Sequence, residues 1–261
     1  LVLTIYGDMD ISIIKDKPIS KATIKTIAKP ISAEKEVAMA LKRALINNEK
    51  IYWVCPIVEE NNTSEVISAE KRYKILSDMY GKEKVGIIHG RMSKGEKEFT
   101  MRNFSNSKYQ ILVATVVIEV GINITDATIM IIENAERFGL SQLHQLRGRV
   151  GRSNMQATCI LLYKKNLSEN AKKRINILKS TNDGFKIADE DMKLRGFGDI
   201  LGYKQSGIKE FKLADPIHHE KLFKMAEMNI KEIENKEQNL KKYEPLIKLY
   251  DKAEIINQID S

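Results

Sequence analysis

Six short apolar runs, separated by longer segments with helical periodicity, constrain the fold of this chain more than any other feature. The runs are Ile24–Ala28, Ile51–Pro56, Val85–Ile88, Ile111–Ala114, Ile129–Ile132 and Thr158–Tyr163. Their length and apolar content are typical of strands that are covered on both faces. Strands that alternate with helices in this way predict an α/β fold with a parallel sheet and helices on both of its faces.

The segments between the runs carry the capping residues of helices. A Ser93–Glu96 capping box starts one helix, and we expect Ser32, Ser141 and Ser168 to cap three others. Beyond the last strand the pattern changes to a helical hairpin, a glycine-punctuated loop and, from Asp215, further helices. The predicted helices cover about 33–48, 66–80, 94–104, 142–147, 168–179 and 187–194.

The composition indicates which kinds of binding partner and cellular environment to expect. A net charge of +8 and a pI near 9.2 favour an anionic partner, of which nucleic acid is the commonest, although a lysine-rich solvated surface would give the same charge. Cys55 and Cys159 lie in apolar runs and are predicted to be buried, reduced thiols of a cytoplasmic protein. We expect no membrane span and no metal site, because no apolar run is long enough and no histidine has metal-ligand spacing. The chain begins with Leu1, so we expect it to be a piece of a longer protein.

Arginine is used sparingly, with ten Arg against 33 Lys, yet three of the ten fall within residues 147–152. A lysine supplies charge anywhere, whereas the flat, forked guanidinium grips phosphate oxygens in pairs. Gly148 and Gly151 disfavour continued helix. We therefore predict a short helix that ends in a turn and points Arg149 and Arg152 outward. An ordinary basic surface helix is the alternative.

The stretch Gln142–Arg152 resembles motif VI of superfamily-two helicases, which lies on the second of their two RecA-like lobes. The resemblance implies that Arg149 and Arg152 are catalytic arginines that meet ATP held by the first lobe, with Gln145 as a neighbouring nucleotide contact. Such an arginine finger stabilises charge on the transferring phosphoryl group.

The stretch 114–123 resembles motif V of the same superfamily. The resemblance implies a DNA phosphate contact by Thr115 and nucleotide contacts at Gly121 and Asn123. The family usually has Asp where this chain has Asn123, which can still accept a ribose hydrogen bond but lacks the charge.

A further DNA contact is predicted at His89, Gly90 and Arg91, between a strand and a capped helix. The alternative is a simple turn with a solvated histidine. Ligands of parallel sheets gather at the carboxyl ends of the strands. We therefore expect the loops after Ile88 and Ala114, and the turn around Arg149, to share that edge.

Two patterns resemble parts of an ATP site but are not supported. Ile129–Glu133 resembles a Walker B strand, and Asp189–Asp191 resembles a DEAD-type box. No G-x-x-x-x-G-K-[ST] loop occurs in the chain. We therefore expect ATP and Mg²⁺ to be held mainly by a lobe outside this sequence, and the chain alone to be inactive.

Residues 185–207 resemble the TRG translocation motif, a helical hairpin and loop shared by RecG helicases and transcription-repair coupling factors. Arg174, Arg195 and Gln205 match its functional positions. Phe197, Asp199 and Lys204 replace the usual Pro, Glu and Arg of the loop. The motif implies an element that lies along duplex DNA.

The stretches 3–14 and 52–60 resemble the RecG family more than the coupling factors. That family implies an ATP-dependent helicase that remodels branched DNA, such as stalled forks and Holliday junctions. We expect a second RecA-like lobe at 1–165, the TRG motif at 166–211 and a helical extension at 212–261. The expected partners are branched duplex DNA and the first motor lobe and wedge domain of the same protein.

We expect a monomer that works at the nucleoid in the bacterial cytoplasm. Two other functions remain open at this stage. One is a transcription-repair coupling translocase, and the other is a non-catalytic DNA-binding module built on the same scaffold.

Overall fold

The computed structural model describes residues 23–56, 62–115, 126–152, 155–195, 219–236 and 243–245. The chain divides into two compact units, one of residues 15–195 and one of residues 1–14 with 196–261. The opening stretch 3–14, the nucleotide-contact candidates Gly121 and Asn123, and the loop with Gln205 all lie outside the described residues.

The larger unit is built on a six-stranded sheet in which every pair of neighbours is parallel. The spatial order of the strands is β1-β6-β5-β2-β4-β3. This confirms the predicted RecA-like α/β architecture, and each predicted strand is present. The strands are β1 Ile24–Pro30, β2 Lys50–Val54, β3 Val85–Ile88, β4 Ile111–Ala114, β5 Ala127–Ile132 and β6 Ala157–Tyr163.

Helices connect the strands and continue beyond the sheet. Two single 3₁₀ turns, Ile31–Ala33 and Ala135–Arg137, precede helices. The α-helices are α1 Glu34–Ile46, α2 Asn62–Tyr80, α3 Lys94–Ser105, α4 Leu140–Arg147, α5 Glu169–Ser180, α6 Gly184–Arg195 and α7 Glu220–Lys236.

The core has two parts, one on each face of the sheet, and strand β2 shows why. Alternate residues of a strand point to opposite faces. Ile51, Trp53 and Cys55 pack with the buried side of α1 and with α2. Tyr52 and Val54 pack on the other face with side chains of α3, α4, α5 and α6. The central strands are therefore covered on both sides, as their continuous apolar sequences predicted.

Two of the four predicted serine caps are confirmed. Ser93 and Glu96 form the reciprocal capping box at α3, and Ser168 accepts a hydrogen bond from the backbone of Ala171 at α5. The predictions for Ser32 and Ser141 are wrong. A 3₁₀ turn carries the chain past Ser32 into α1, whose N-cap is Ala33.

At α4 the helix begins one residue before Ser141. Gly139 is the N-cap, and its backbone N–H donates to the side chain of Gln142. Ser141 instead donates its hydroxyl to Asp191 of α6, at 2.5 Å. The Ser141 hydroxyl thus binds a side chain on another helix instead of capping α4.

Both cysteines are free and buried, Cys55 at the end of β2 and Cys159 within β6, as predicted. Burial raises the pKa of both thiols, that of Cys159 to about 12. These thiols are packing residues of the core.

In the smaller unit the structure describes α7 and a short turn at 243–245. Several apolar side chains of α7 are exposed, among them Leu222, Met225 and Met228. Every helix in the described part of the chain is too short or too polar to cross a bilayer.

Candidate functional site

The arginine-rich segment forms a short helix and a tight turn, as predicted. Leu143 and Leu146 of α4 are fully buried and fix the helix on the sheet. The helix ends at Gly148, and Gly151 takes a positive φ of 72°. A Cβ at Gly151 would lie 3.0 Å from the side chain of Ile24, so a glycine is required both for conformation and for space.

This turn lies at the amino ends of the strands, which corrects the sequence prediction. Gly151 donates its backbone N–H to Ala127, the first residue of β5. Gly151 also packs between Ile24 and Ala157, the first residues of β1 and β6. The helix α4 carries the chain from the carboxyl edge back to the amino edge. The turn around Arg149 therefore faces a different edge from the loops after Ile88 and Ala114.

The two candidate catalytic arginines converge at this amino edge. Arg152 is exposed and donates from Nε to the Gly148 carbonyl at 3.0 Å, while Arg149 is half-buried. Burial raises the pKa of the Tyr52 phenol, and the positive charges of Arg149 and Arg152 both act against that rise. Both guanidinium groups therefore lie within electrostatic reach of one phenol, and a guanidinium group can pair with phosphate oxygens.

Gln145, the predicted nucleotide contact on α4, is exposed. Within the described residues, no cluster of His, Cys, Asp or Glu side chains could hold a metal ion.

Arg147, the first arginine of the cluster, has a different role. Its side chain is 2% exposed, and Nη1 donates to the carbonyls of Leu178 at 2.7 Å and Thr181 at 2.9 Å. Nη1 also lies 3.4 Å from the Thr26 hydroxyl, and Nη2 lies 3.0 Å from His144 Nδ1. Within the described residues Arg147 has no carboxylate partner. The partial negative charge at the end of α5 takes that place.

Three contacts fasten the α5–α6 hairpin to the arginine helix and the turn before it. Arg147 holds the C-terminal end of α5, and Ser141 holds Asp191 of α6. Arg174 of α5 donates from Nη2 to the Glu136 carbonyl at 2.8 Å, in the 3₁₀ turn that precedes α4. The predicted translocation residue Arg174 is thus attached to the arginine helix through the backbone. Arg195 is the last residue of α6.

The predicted DNA contacts lie together at the carboxyl edge. Ile88 and Ala114 are register partners on β3 and β4, so His89 and Thr115 follow at adjacent strand ends. Thr115 is fully buried, and among the described residues its Oγ1 and the Nδ1 of His89 have no hydrogen-bond partner. Gly90 and Arg91 are exposed. At this edge Gly90 and Arg91 are therefore open to solvent while Thr115 is not, and the edge is separate from the arginine turn.

The start of α3 beside them is partly closed by its own cap. The backbone N–H groups of Ser93 and Glu96 are used within the capping box. Hydrogen bonds to Ser93, together with the charge of His89, lower the pKa of Glu96. A phosphate that approaches here would meet a carboxylate, so the attraction would have to come from Arg91 and from Lys97, whose Nζ donates to the Gly90 carbonyl at 3.2 Å.

Glu133, the acid of the Walker B-like pattern, belongs to a different cluster. Its carboxylate accepts from Trp53 and pairs with Arg72 Nε, both at 2.5 Å, and Arg72 also pairs with Glu34. Burial raises the pKa of Glu133 even beside Arg72. The cluster ties α1 and α2 to the sheet, which supports the view that Glu133 is not a nucleotide-site acid.

Sequence reasoning missed Arg147 and Asp191 as connecting residues. The concentration of three of the ten arginines in one segment was the available signal for Arg147, but it did not distinguish the buried group from the exposed ones. Asp191 lies within the DEAD-like pattern Asp189–Asp191, which gives no signal for a contact with α4. Only the packing of α4 against the hairpin gives each residue its partner.

Comparison with known proteins agrees with this architecture. Residues 36–154 match the family described as "Helicase conserved C-terminal domain". Residues 181–255 match the family described as "ATP-dependent DNA helicase RecG, domain 3, C-terminal". The two matches cover the arginine turn and the second arm of the hairpin.

Individual relatives give the same result. The chain is 44% identical to the ATP-dependent DNA helicase RecG of Bacillus subtilis over 219 residues. The aligned part makes up 84% of this chain and 32% of that protein. It is 43% identical to the RecG of Escherichia coli K12 over 216 residues, which make up 82% of this chain and 31% of that protein. It also resembles the solved structure of RecG bound to a three-way DNA junction, with a TM-score of 0.66 and 39% sequence identity. That match covers 85% of this chain and 28% of the chain in the solved structure.

The chain thus spans about a third of the length of the curated relatives it matches. The fold, both family models and the identity over most of the chain agree. Over most of its length the chain is therefore similar to the proteins named ATP-dependent DNA helicase RecG.

Proposed function

We propose that this chain is the second motor lobe and hairpin of an ATP-dependent translocase that moves on duplex DNA and remodels branched DNA. The arginine turn is the observation on which the proposal rests. Arg149 and Arg152 lie there within electrostatic reach of one phenol, and the sequence of this chain contains no phosphate-binding loop. The relatives named ATP-dependent DNA helicase RecG support it, as does the RecG bound to a three-way DNA junction.

The residues at the amino edge fit half of a nucleotide site. Bound ATP with Mg²⁺, held by a preceding lobe, would supply the free energy of phosphoanhydride cleavage. Arg149 and Arg152 would contact phosphate oxygens and stabilise the charge that develops on them. Gln145, with Gly121 and Asn123 outside the described residues, would contact the rest of the nucleotide. Closure of a second lobe on this edge would exclude water and bring the arginines into place.

The carboxyl edge would contact DNA. Arg91 and the Gly90 backbone are exposed there and would bind a backbone phosphate. His89 and Thr115 lie at neighbouring strand ends, each with a buried polar atom that has no partner among the described residues, so a contact with DNA would require a local opening at Thr115. Because the two edges belong to one rigid sheet, a movement of the arginine turn is also a movement of the DNA-binding edge.

The hairpin would carry the same movement to duplex DNA. Arg147, Ser141 and Arg174 join it to the arginine helix and the turn before it. Arg195 and Gln205 would make the contacts with the duplex that are typical of the TRG motif. We also propose that the protein works at the nucleoid of the cytoplasm, as a monomer in which this chain is joined to a first lobe and a wedge domain.

Unwinding of a forked DNA by the intact protein tests the proposal. We expect strand separation with ATP, none with a non-hydrolysable analogue, and none from the present chain alone. Equal strand separation with the analogue, or ATP hydrolysis by this chain alone, would contradict the proposed division of labour. Gln205→Ala should lower unwinding more than ATP hydrolysis, and an equal loss of both would remove the hairpin from the mechanism.

A further inference from the structure

The side chains of His144 and Arg147 are in hydrogen-bond contact on α4. Arg147 Nη2 lies 3.0 Å from His144 Nδ1. A guanidinium group can only donate hydrogen bonds, so Nδ1 of His144 must accept one. The Nδ1 lone pair of His144 therefore faces the guanidinium group.

His144 also touches the second arm of the hairpin. A Cβ built on Gly184, the first residue of α6, would lie 3.2 Å from His144 Nε2. The imidazole thus occupies the space between the guanidinium group of Arg147 and the start of α6. Arg147 in turn binds the end of α5, so the two side chains together contact both arms of the hairpin where they join.

The histidine matters because Arg147 has few acceptors. The guanidinium is buried, and burial lowers its pKa. Within the described residues its acceptors are two carbonyls, a hydroxyl and the imidazole, all of them uncharged. A buried charged donor that loses an acceptor is destabilised by its desolvation, and its side chain then adopts another conformation. The Nδ1 of His144 therefore helps to fix the direction of the side chain that grips α5.

We propose that His144 is a positioning residue, whose Nδ1 lone pair holds Arg147 on the hairpin and so couples the arginine turn to DNA movement. This inference rests on the proposed function. It assigns to His144 no contact with nucleotide or DNA.

Two substitutions of nearly equal shape separate the acceptor from the bulk of the ring. His144→Asn keeps an acceptor oxygen at the position of Nδ1, whereas His144→Leu has the same branching and no acceptor. In the intact protein we expect His144→Asn to retain wild-type unwinding per ATP hydrolysed, within about twofold. Loss of a hydrogen bond to a charged group shifts an equilibrium by about tenfold or more, so His144→Leu should lower this ratio by about tenfold.

Hydrogen exchange tests the same contact without relying on activity. In the intact protein we expect the amides of Thr181 to Gly184 to exchange faster in His144→Leu than in wild type or His144→Asn. Arg147→Lys, which keeps the charge but loses the forked donors, should match His144→Leu. His144→Gln, whose amide cannot take the position of Nδ1, decides the question should His144→Leu fold poorly, because its Thr181 to Gly184 amides should also exchange faster than those of His144→Asn.

The outcomes are distinguishable. Identical behaviour of the Asn and Leu variants, in exchange and in unwinding per ATP, would overturn the role of the acceptor. If wild-type protein neither hydrolyses ATP on DNA nor unwinds a fork, the proposed function fails, while the exchange measurement still decides whether His144 holds Arg147.

Discussion

The guanidinium group of Arg147 donates a 2.7 Å hydrogen bond to the carbonyl oxygen of Leu178, which joins the arginine helix to the hairpin that follows the sheet. The bond reaches one of the last carbonyls of α5, which a helix leaves without a backbone partner. Arg147 thus satisfies the end of α5 and fixes its position in one contact.

Replacing Arg147 should therefore destabilise the chain. Arg147→Met would keep much of the buried volume but leave the carbonyls of Leu178 and Thr181 without their donor. We expect the free energy of unfolding to fall by about 2–4 kcal/mol, since each buried unsatisfied group costs about 1–3 kcal/mol. Urea denaturation followed by circular dichroism measures it. Arg43→Ala, at an exposed position of α1, is the matched control and should change stability by less than about 0.5 kcal/mol. Equal stability of both variants would contradict the anchoring role.

The turn that presents the arginines should not tolerate a side chain at Gly151. Gly151→Ala meets a positive φ of 72° and contacts at 3.0 and 3.1 Å with Ile24 and Ala157. We expect a loss of about 1–3 kcal/mol in thermal or urea unfolding. Gly95→Ala in α3 has open space around its Cβ and should be neutral or slightly stabilising. A neutral Gly151→Ala variant would mean that the turn has another conformation.

The two buried thiols should resist alkylation in the folded chain. Burial raises the pKa of Cys159 to about 12 and that of Cys55 well above its usual value, so the reactive thiolate is scarce at pH 8. We expect labelling by iodoacetamide to be about a thousandfold slower than at an exposed cysteine introduced by Ser32→Cys. Both native thiols should react in denaturant. Rapid labelling of either one in the native chain would contradict its placement in the core.

Arg91 should contribute one phosphate contact at the DNA-binding edge. In the intact protein, Arg91→Ala should weaken binding to duplex DNA and reduce the slope of log K against log salt by about 1. Binding would be measured by fluorescence anisotropy across a salt series. Arg102→Ala, at an exposed position near the end of α3, is the matched control and should leave the slope unchanged. The same slope for Arg91→Ala and wild type would remove Arg91 from the interface.

Sequence reasoning predicted the strands well because each is a short apolar run between amphipathic helices. It could not give the order β1-β6-β5-β2-β4-β3, which depends on packing between distant segments. This is why the turn at Arg149 was expected at the same edge as His89, whereas α4 returns it to the amino edge. The Ser141 cap failed for a similar reason, since Asp191 of α6 binds the serine hydroxyl. Local patterns identify elements and motifs, and tertiary partners decide what each polar side chain contacts.

The most direct test of the arginine-turn proposal is the turnover number for DNA-stimulated ATP hydrolysis by the intact protein carrying Arg152→Ala. Arg152 is exposed at the amino edge, so its removal should cost little stability. We predict that kcat falls by about 10³-fold while ATP binding stays within a few fold of wild type. Arg43→Ala serves again as the control and should keep the wild-type kcat. An unchanged kcat for Arg152→Ala, in protein that still binds ATP and DNA, would contradict the assignment of this turn to the transferring phosphate.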